Sequence, residues 1–349
     1  MKNRYKVVIV GAGPSGLSAA LNLKKRGLDD IIVIERGKFP RYKCCAGYIT
    51  NKTKKTYENL GLNFEECHYS LIEDFNIFYR LKPRQTIENR FLYTNRKIDR
   101  VELDDEFFRL AQKEGIEILE NTIITSDDID SNTITIDKDR NLKFDYLIFA
   151  DGTNGYGSRY QKIKRKNIAM QVTFPTDRKE SIEIHFGITK RGYGWISSYE
   201  GTTNVGLTDI YDLKEDYRKI FLKFLSDNDL KCDSEHLRGA FTPIGLRTPI
   251  MNGNVYFVGD AVGACDPLTL SGLRYGLKTG EKCAESIYRK DESIYRRYIT
   301  TLKVRFKLMY LLQRIFYMRF ILSLVFNVGC RFFGKIIAFF FNHFFINKK

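Results

Sequence analysis

The fold of this chain is decided by residues Lys6–Glu35, which read KVVIVGAGPSGLSAALNLKKRGLDDIIVIE. The apolar run Val7–Val10 predicts a buried strand, and the periodic segment Leu17–Arg26 predicts a helix. Between them, three glycines follow the spacing G-x-G-x-x-G. A second apolar run, Ile31–Ile34, predicts a second strand. Strand, glycine turn, helix and strand in this order indicate a dinucleotide-binding unit.

Each glycine of the turn has its own physical role. Gly11 permits the tight turn, Gly13 lets a pyrophosphate approach the backbone, and Gly16 lets the helix pack closely on the strand. Pro14 and Ser15 open the helix, where free N–H groups and the positive end of the helix dipole favour phosphate.

Glu35 ends the second strand and is followed by Arg36. A carboxylate at this position is expected to accept hydrogen bonds from an adenosine ribose. The motif alone leaves FAD and NAD(P) open as ligands.

Length and charge bound the class of protein. A chain of 349 residues suits two packed domains. The net charge of +15 favours an anionic partner: nucleic acid, a phosphorylated substrate or an acidic membrane. No zinc-finger spacing or RNA-binding signature is present, so nucleic acid is the weakest of these, and we expect none.

The cysteines and the N-terminus indicate the compartment. Seven cysteines at irregular spacing are typical of a reducing environment rather than of a disulfide framework. The first strand begins after a few polar residues, without a signal peptide. We therefore expect a cytoplasmic protein, with peripheral contact at the inner face of the membrane as an additional expectation.

The stretch Arg36–Tyr48 matches neither helix nor strand periodicity and is predicted to be a loop leaving the nucleotide site. It contains the adjacent cysteines Cys44 and Cys45. From the pattern alone, Cys45 is either a reactive thiol or, more commonly, a small buried residue.

The middle of the chain contains two kinds of sheet. Tyr146–Ala150 predicts a buried strand that places Asp151 and Gly152 at its carboxyl end, where open α/β sheets bind ligands. From Ile168 to Leu207, alternating strands predict an antiparallel sheet. This sheet contains Tyr193 and Trp195, for which core packing is the ordinary explanation.

A second ligand-binding turn follows later in the chain. The strand Asn254–Val258 precedes a glycine-rich turn, Gly259–Gly263, and Ser271–Leu277 opens a helix through Ile287. This order indicates a second cradle for phosphate and ribitol. Two cradles so far apart in sequence require a long cofactor, for which FAD is better suited than NAD.

The tail from Lys303 to Lys349 is basic and aromatic, and none of its apolar runs approaches the about 18 residues needed to span a bilayer. It favours either an amphipathic contact in the membrane plane or a helical cap on the protein itself.

These elements resemble the FAD-dependent geranylgeranyl reductase family, including the bacterial members related to the colicin M resistance protein. The family belongs to the flavoprotein group of the aromatic hydroxylases and flavin halogenases. The specific resemblance lies in Phe39–Gly47, which reads FPRYKCCAG, and in Gly259–Gly272. Ala46 stands where the family usually has a glycine. Tyr193–Ile196 is similar to its tyrosine…tryptophan signature, although Ser197–Ser198 replaces the usual phenylalanine-proline-lysine.

The resemblance implies FAD as the bound cofactor, with NAD(P)H or another electron donor binding transiently. It places Arg100 and Asp151 at the FAD and Asp260 at the ribitol hydroxyls. It also makes Tyr193 and Trp195 plausible walls of a substrate cavity, with Cys45 near the flavin as a proton donor. We expect no metal site. The full set of expected cofactor-binding residues is Gly11, Gly13, Pro14, Ser15, Gly16, Glu35, Arg36, Lys43, Cys45, Ala46, Gly47, Arg100, Asp151, Gly152, Gly259, Asp260, Gly263, Asp266, Pro267, Ser271, Gly272 and Leu273.

The expected fold is an α/β, Rossmann-like FAD domain with an inserted antiparallel-sheet domain and a helical tail. We expect residues 1–70, 95–160 and 240–290 to form the FAD domain. Residues 71–94 and 161–239 are expected to form the antiparallel-sheet domain, and residues 291–349 the helical tail.

The implied activity is reduction of carbon–carbon double bonds in a polyprenyl or related lipid. The alternatives are an FAD-dependent monooxygenase and a membrane-associated FAD-binding protein with a non-catalytic resistance or envelope role.

Overall fold

The computed structural model describes residues 2–71, 74–88, 96–162, 165–231 and 234–329. The helices are α1 (Pro14–Lys24), α2 (Asn51–Leu60), α3 (Arg100–Lys113), α4 (Tyr217–Ser226), α5 (Leu273–Arg289), α6 (Glu292–Phe316) and α7 (Arg319–Leu324). The strands are β1 (Arg4–Val10), β2 (Ile31–Ile34), β3 (Tyr48–Ile49), β4 (Tyr69–Leu71), β5 (Asp74–Tyr79), β6 (Lys82–Glu88), β7 (Arg96–Ile98), β8 (Glu117–Leu119), β9 (Ile124–Asp128), β10 (Thr133–Ile136), β11 (Arg140–Phe149), β12 (Lys166–Pro175), β13 (Ser181–Phe186), β14 (Tyr193–Tyr199), β15 (Thr202–Ile210), β16 (Arg238–Pro243), β17 (Met251–Asn252) and β18 (Val255–Phe257).

The first sheet has eight strands, of which β17-β18-β11-β1-β2-β8 form a continuous order. β1 pairs in parallel with both β11 and β2. Val7–Val10 and Ile31–Ile34 are buried throughout, as expected for parallel strands covered on both faces. The dinucleotide-binding unit predicted from the sequence is therefore present.

The second sheet has seven strands in the order β16-β12-β15-β14-β13-β5-β6. Its pairs are antiparallel except β13 with β5. The predicted fold class, an α/β FAD-type domain with an antiparallel sheet, is confirmed. β16 belongs to this sheet and runs to Pro243, so the sheet continues past the boundary expected at residue 239. Within the segment 71–94 expected for this domain, residues 72–73 and 89–94 lie outside the described residues.

A small third sheet, in the order β3-β7-β4, fixes the end of the Arg36–Tyr48 loop. Tyr48 in β3 pairs with Lys97 in β7. Directly after β7, Asp99 caps α3 by accepting a hydrogen bond from the Val101 N–H. The start of α3, including Arg100, is thereby held beside the cysteine loop.

The C-terminal part consists of the long helix α6 and the short helix α7. Among the described residues, no single helix has both the length and the apolar character to cross a bilayer; only α6 together with Arg319–Asn327 meets that standard, and this pair is bent by 73°. The rest of the predicted basic and aromatic tail, residues 330–349, lies outside the described residues.

Helices α1 and α5 approach unusually closely. A Cβ atom on Gly280 of α5 would lie 2.3 Å from the Ser15 carbonyl oxygen of α1, and one on Gly259 would lie 2.4 Å from the Ser15 Oγ. The Ser18 hydroxyl donates to the Leu277 carbonyl oxygen over 2.7 Å. Because the clashing partner of Gly280 is backbone, no side-chain rotation can relieve a substitution there.

We predict that Gly280→Ala lowers the free energy of unfolding by about 1–3 kcal/mol, since the added methyl group forces the two helices apart. Denaturant unfolding of the purified protein measures this change. Gly239→Ala is the matched control, because a Cβ there would meet its nearest atom at 3.6 Å, an ordinary contact. Equal unfolding free energies for the two variants would contradict the close approach.

Candidate active site

A cavity of about 830 Å³ lies between the two large sheets and contains both ligand-binding turns. Most of the predicted site residues line it: Gly11, Gly13, Pro14, Ser15, Glu35, Arg36, Lys43, Cys45, Ala46, Gly47, Arg100, Asp151, Gly152, Tyr193, Trp195, Gly259, Asp260, Ser271, Gly272 and Leu273. Segments distant in sequence thus share one continuous space.

The first end of the cavity is formed by the turn between β1 and α1. Gly11 has φ +104°, and a Cβ there would lie 2.6 Å from the Ala150 carbonyl oxygen. A Cβ on Gly16 would lie 1.9 Å from the Gly11 carbonyl oxygen. Only glycine allows the helix to begin so close to the strand. Gly13 is the N-cap of α1 and no side chain caps this helix end.

Glu35 organises the same end. Its carboxylate accepts hydrogen bonds from the N–H groups of Ala12 and Gly37, each at 2.9 Å. Arg41 Nη2 lies 3.6 Å from Glu35 Oε2. The carboxylate is buried and faces the cavity, as a ribose-binding acid would.

The second end is formed by Gly259, Asp260 and the start of α5. Gly272 is the N-cap of α5, again without a side-chain cap. By contrast, side chains cap the other described α-helices of ten residues or more: Thr50 for α2, Asp99 for α3, Asp216 for α4 and Asp291 for α6. The two uncapped helix ends both face the cavity, where a bound phosphate group would satisfy their free N–H groups.

The residues present are suited to FAD. Asp151 Oδ1 and Arg41 Nε are buried without a hydrogen-bond partner among the described residues, and both residues line the cavity. A Cβ on Gly152 would meet nothing within 4 Å. A long, polar cofactor would supply hydrogen-bond partners for these buried atoms and would fit into the open space at the glycine. Bound FAD would lie between the first turn, Asp151 and the second turn.

The pKa of Asp151 is also shifted. Burial raises it to about 6, and the Gly157 N–H, which donates to Oδ2 over 2.8 Å, opposes this rise only in part.

Cys45 faces this cavity beside a cluster of cations. Burial raises the pKa of its thiol, but the Arg100 charge, the Gly47 N–H, a hydrogen bond from Arg100 and the Lys43 charge together outweigh burial and lower it overall. Arg100 is fixed by Asp104, with Nη2 donating to Oδ1 over 2.8 Å. For neighbouring Cys44, burial raises the thiol pKa to about 11. The two adjacent cysteines therefore differ sharply in acidity.

An apolar wall closes the cavity on the side of the second sheet. Ile184, Phe186, Tyr193 and Trp195 line it from β13 and β14. The Trp195 Nε1 donates to Asn204 Oδ1 over 2.7 Å, which fixes the indole. A Cβ on Gly206 would lie 2.1 Å from the Trp195 ring, so glycine at 206 makes room for it. Trp195 thus packs in the core and also lines the cavity.

Four of the predicted cofactor-binding residues do not line the cavity: Gly16, Gly263, Asp266 and Pro267. Gly263 has φ +79°, and a Cβ there would lie 2.3 Å from the Gly245 carbonyl oxygen. Asp266 is buried and accepts hydrogen bonds from the N–H groups of Leu268 and Thr269. Gly16, Gly263 and Asp266 thus contact the turns from behind the cavity, and cofactor binding by these four residues stays a prediction.

The sequence did not single out several residues that the structure brings to the site. The cavity is also lined by Arg41, Tyr42 and Tyr48. In the sequence, only their position in or beside the loop that resembles the family indicated this placement. Lys97 is buried behind the cysteine loop, 3.0 Å from where a Gly47 Cβ would lie, and its burial lowers its pKa. A lone lysine in a short strand gives no sequence signal of this placement.

Glu35→Ala is expected to weaken FAD binding by about tenfold or more, because a charged hydrogen bond to the ribose contributes about 1.5–3 kcal/mol. FAD titration followed by flavin fluorescence measures this affinity. Glu117→Ala is the control, since that carboxylate accepts from the Tyr5 hydroxyl away from the cavity. Equal FAD affinities in the two variants would refute the assignment.

Because its thiol pKa is lowered, we predict that Cys45 is alkylated at a lower pH than an ordinary cysteine. Thiolate is the reactive form, so the iodoacetamide rate in the FAD-free protein rises with pH and its midpoint should fall below the ordinary 9.0. Lys43→Met removes a lowering charge and should move the midpoint upward. Mass spectrometry in a Cys44→Ser background assigns the site. A midpoint at or above 9.0 would contradict the electrostatics described here.

Comparison with known proteins supports this cofactor assignment. Residues 5–177 match the family model of pyridine nucleotide-disulphide oxidoreductases. Menaquinone reductase of Mycolicibacterium smegmatis is 26% identical over 318 residues, which are 82% of this chain and 76% of that protein. Digeranylgeranylglycerophospholipid reductase 3 of Methanosphaera stadtmanae is 26% identical over 320 residues, 82% of this chain and 79% of that protein.

A geranylgeranyl bacteriochlorophyll reductase-like protein from Thermoplasma acidophilum has the same fold. The two structures superpose with a TM-score of 0.81 at 16% identity, over 97% of this chain and 96% of that one. Two uncapped helix ends face one cavity, and the similar proteins are reductases of this flavoprotein type. The chain is therefore an FAD-dependent oxidoreductase that resembles the geranylgeranyl reductase family.

Proposed function

We propose that this oxidoreductase reduces carbon–carbon double bonds of a polyprenyl or related lipid. The observation that carries the proposal is the apolar wall of Ile184, Phe186, Tyr193 and Trp195 in the same cavity as Cys45 and the second ligand-binding turn. A wall of this composition favours an apolar substrate over a charged one. The names of two relatives, a menaquinone reductase and a digeranylgeranylglycerophospholipid reductase, support a lipid substrate.

In this mechanism the protein positions the reactants and donates one proton. FAD, held at the turns of Gly11–Gly13 and Gly259–Asp260 and reduced by NAD(P)H or another transient carrier, would supply the hydride for one carbon of the double bond. The Cys45 thiol gives its proton to the other carbon and is reprotonated by water, so the bond gains two hydrogen atoms in total. A general acid works best when its pKa lies near the working pH, and the cations around Cys45 move its pKa in that direction.

The apolar wall also excludes water from the reduced cofactor. Tyr193 donates its hydroxyl to the Thr269 carbonyl oxygen over 3.3 Å, joining the second sheet to the loop before α5. This contact links the apolar wall to the loop that lines the cofactor side of the same cavity. Exclusion of water there protects the hydride from side reactions.

Anaerobic reduction by dithionite, followed by addition of a geranylgeranyl lipid in detergent, tests the proposal. We expect the flavin absorbance to return and the lipid to gain two hydrogen atoms per flavin oxidised. Cys45→Ala should slow this reoxidation by about 10²- to 10⁴-fold through loss of the general acid. Cys67→Ala is the matched control, because its thiol is buried outside the cavity.

Other outcomes would replace the proposal. Reoxidation that requires oxygen and inserts it into an added substrate would instead make the chain a monooxygenase. Stoichiometric bound FAD that neither NAD(P)H nor other carriers reduce would indicate a non-catalytic FAD-binding protein.

A further inference from the structure

The short helix α7 and the turn after it cover the apolar wall of the cavity. The Phe326 ring stacks on Phe186 with centroids 5.0 Å apart and on Tyr79 with centroids 5.3 Å apart. Phe316 meets Phe186 edge-on at 5.6 Å. Since Phe186 itself lines the cavity, this C-terminal segment packs against the back of that part of the wall.

The outward side of the same region is apolar. Along α6, large apolar side chains are exposed at intervals of four, three and four residues, so that they form one stripe: Val304, Leu308, Leu311 and Ile315. Past the bend, Met318, Phe320, which is 73% exposed, and Leu324 are exposed as well. We call the four residues on α6 the apolar stripe. A contiguous apolar surface of this kind marks a contact site rather than ordinary surface.

Charge indicates what the apolar stripe contacts. Glu292 is the last acidic residue in the sequence, so everything after it is basic or neutral. Lys303, Lys307 and Arg314 are exposed on α6 beside the stripe. An apolar helix face with exposed cations beside it and no acid after Glu292 is suited to the surface of an anionic bilayer, where the apolar side chains enter the interface and the cations meet the headgroups.

A second copy of this chain is a poorer occupant. In a two-fold symmetric contact the same face meets itself, so the lysines and arginines beside the stripe would lie near their own counterparts. With no acid on this face after Glu292, nothing on it would compensate that repulsion.

We propose that the apolar stripe docks on an anionic lipid bilayer and so places α7, the cover of the apolar wall, at the membrane surface. The inference rests on the proposed function for the nature of the substrate, which would then reach the wall from the lipid phase. The docking itself requires no substrate and can be measured without one.

The test is co-sedimentation of the full-length, FAD-loaded protein with vesicles of phosphatidylglycerol and phosphatidylcholine. We expect binding that weakens with salt and falls sharply on vesicles of phosphatidylcholine alone. Leu308→Asp with Leu311→Asp should weaken binding by about tenfold or more, since burial of one leucine alone supplies at least that factor. Leu213→Asp, at a leucine 87% exposed outside the stripe, is the matched control and should bind like the unchanged protein.

Each remaining outcome has a defined meaning. Vesicle binding that is absent, or equal in the double variant and the control, would overturn the docking surface. A double variant that changes the sedimentation-equilibrium mass while leaving vesicle binding intact would assign the stripe to a second copy of the chain instead.

Turnover separates this inference from the proposed function. If both are correct, the double variant oxidises its flavin normally with detergent-dispersed lipid and slowly with lipid in vesicles. If no lipid reoxidises the flavin of the unchanged protein while vesicle binding still depends on Leu308 and Leu311, the docking is retained and the proposed function fails.

Discussion

The close approach of α1 and α5 is the constraint on which the site depends. Gly280 has no side chain to hold these helices apart, and Gly259 gives the same freedom beside Ser15. Their N-termini begin at Gly13 and Gly272, both without side-chain caps and both at one cavity. Two positive helix ends at one cavity favour the binding of an anionic ligand. The cofactor site is therefore a property of helix packing as much as of either glycine motif.

The cofactor half of the site could be predicted from the sequence because its determinants are local. The turn at Gly11 follows its strand directly, and Glu35 ends the next parallel strand, so spacing along the chain translates into spacing across the sheet. The second turn at Gly259–Asp260 was recognisable in the same way. Cys45, in the loop that carries the family resemblance, lines the same cavity.

The rest could not be predicted because it depends on contacts between distant segments. The acidity of Cys45 is set by Arg100, which reaches it only because β3 pairs with β7 just before α3 begins. Buried Lys97 arrives by the same pairing. The sequence did not show that Asp266 accepts hydrogen bonds from the backbone of its own loop. No local pattern showed that Phe326 covers Phe186.

One continuous cavity joins the two ligand-binding turns to the apolar wall. The chain contains a single tryptophan, Trp195, and its indole lies in that wall. Titration of FAD into the FAD-free protein, followed by tryptophan fluorescence, tests the claim most directly. We predict nearly complete quenching that saturates at one FAD per chain. Tight, stoichiometric FAD binding that leaves the Trp195 emission unchanged would place the cofactor away from the wall and contradict this account.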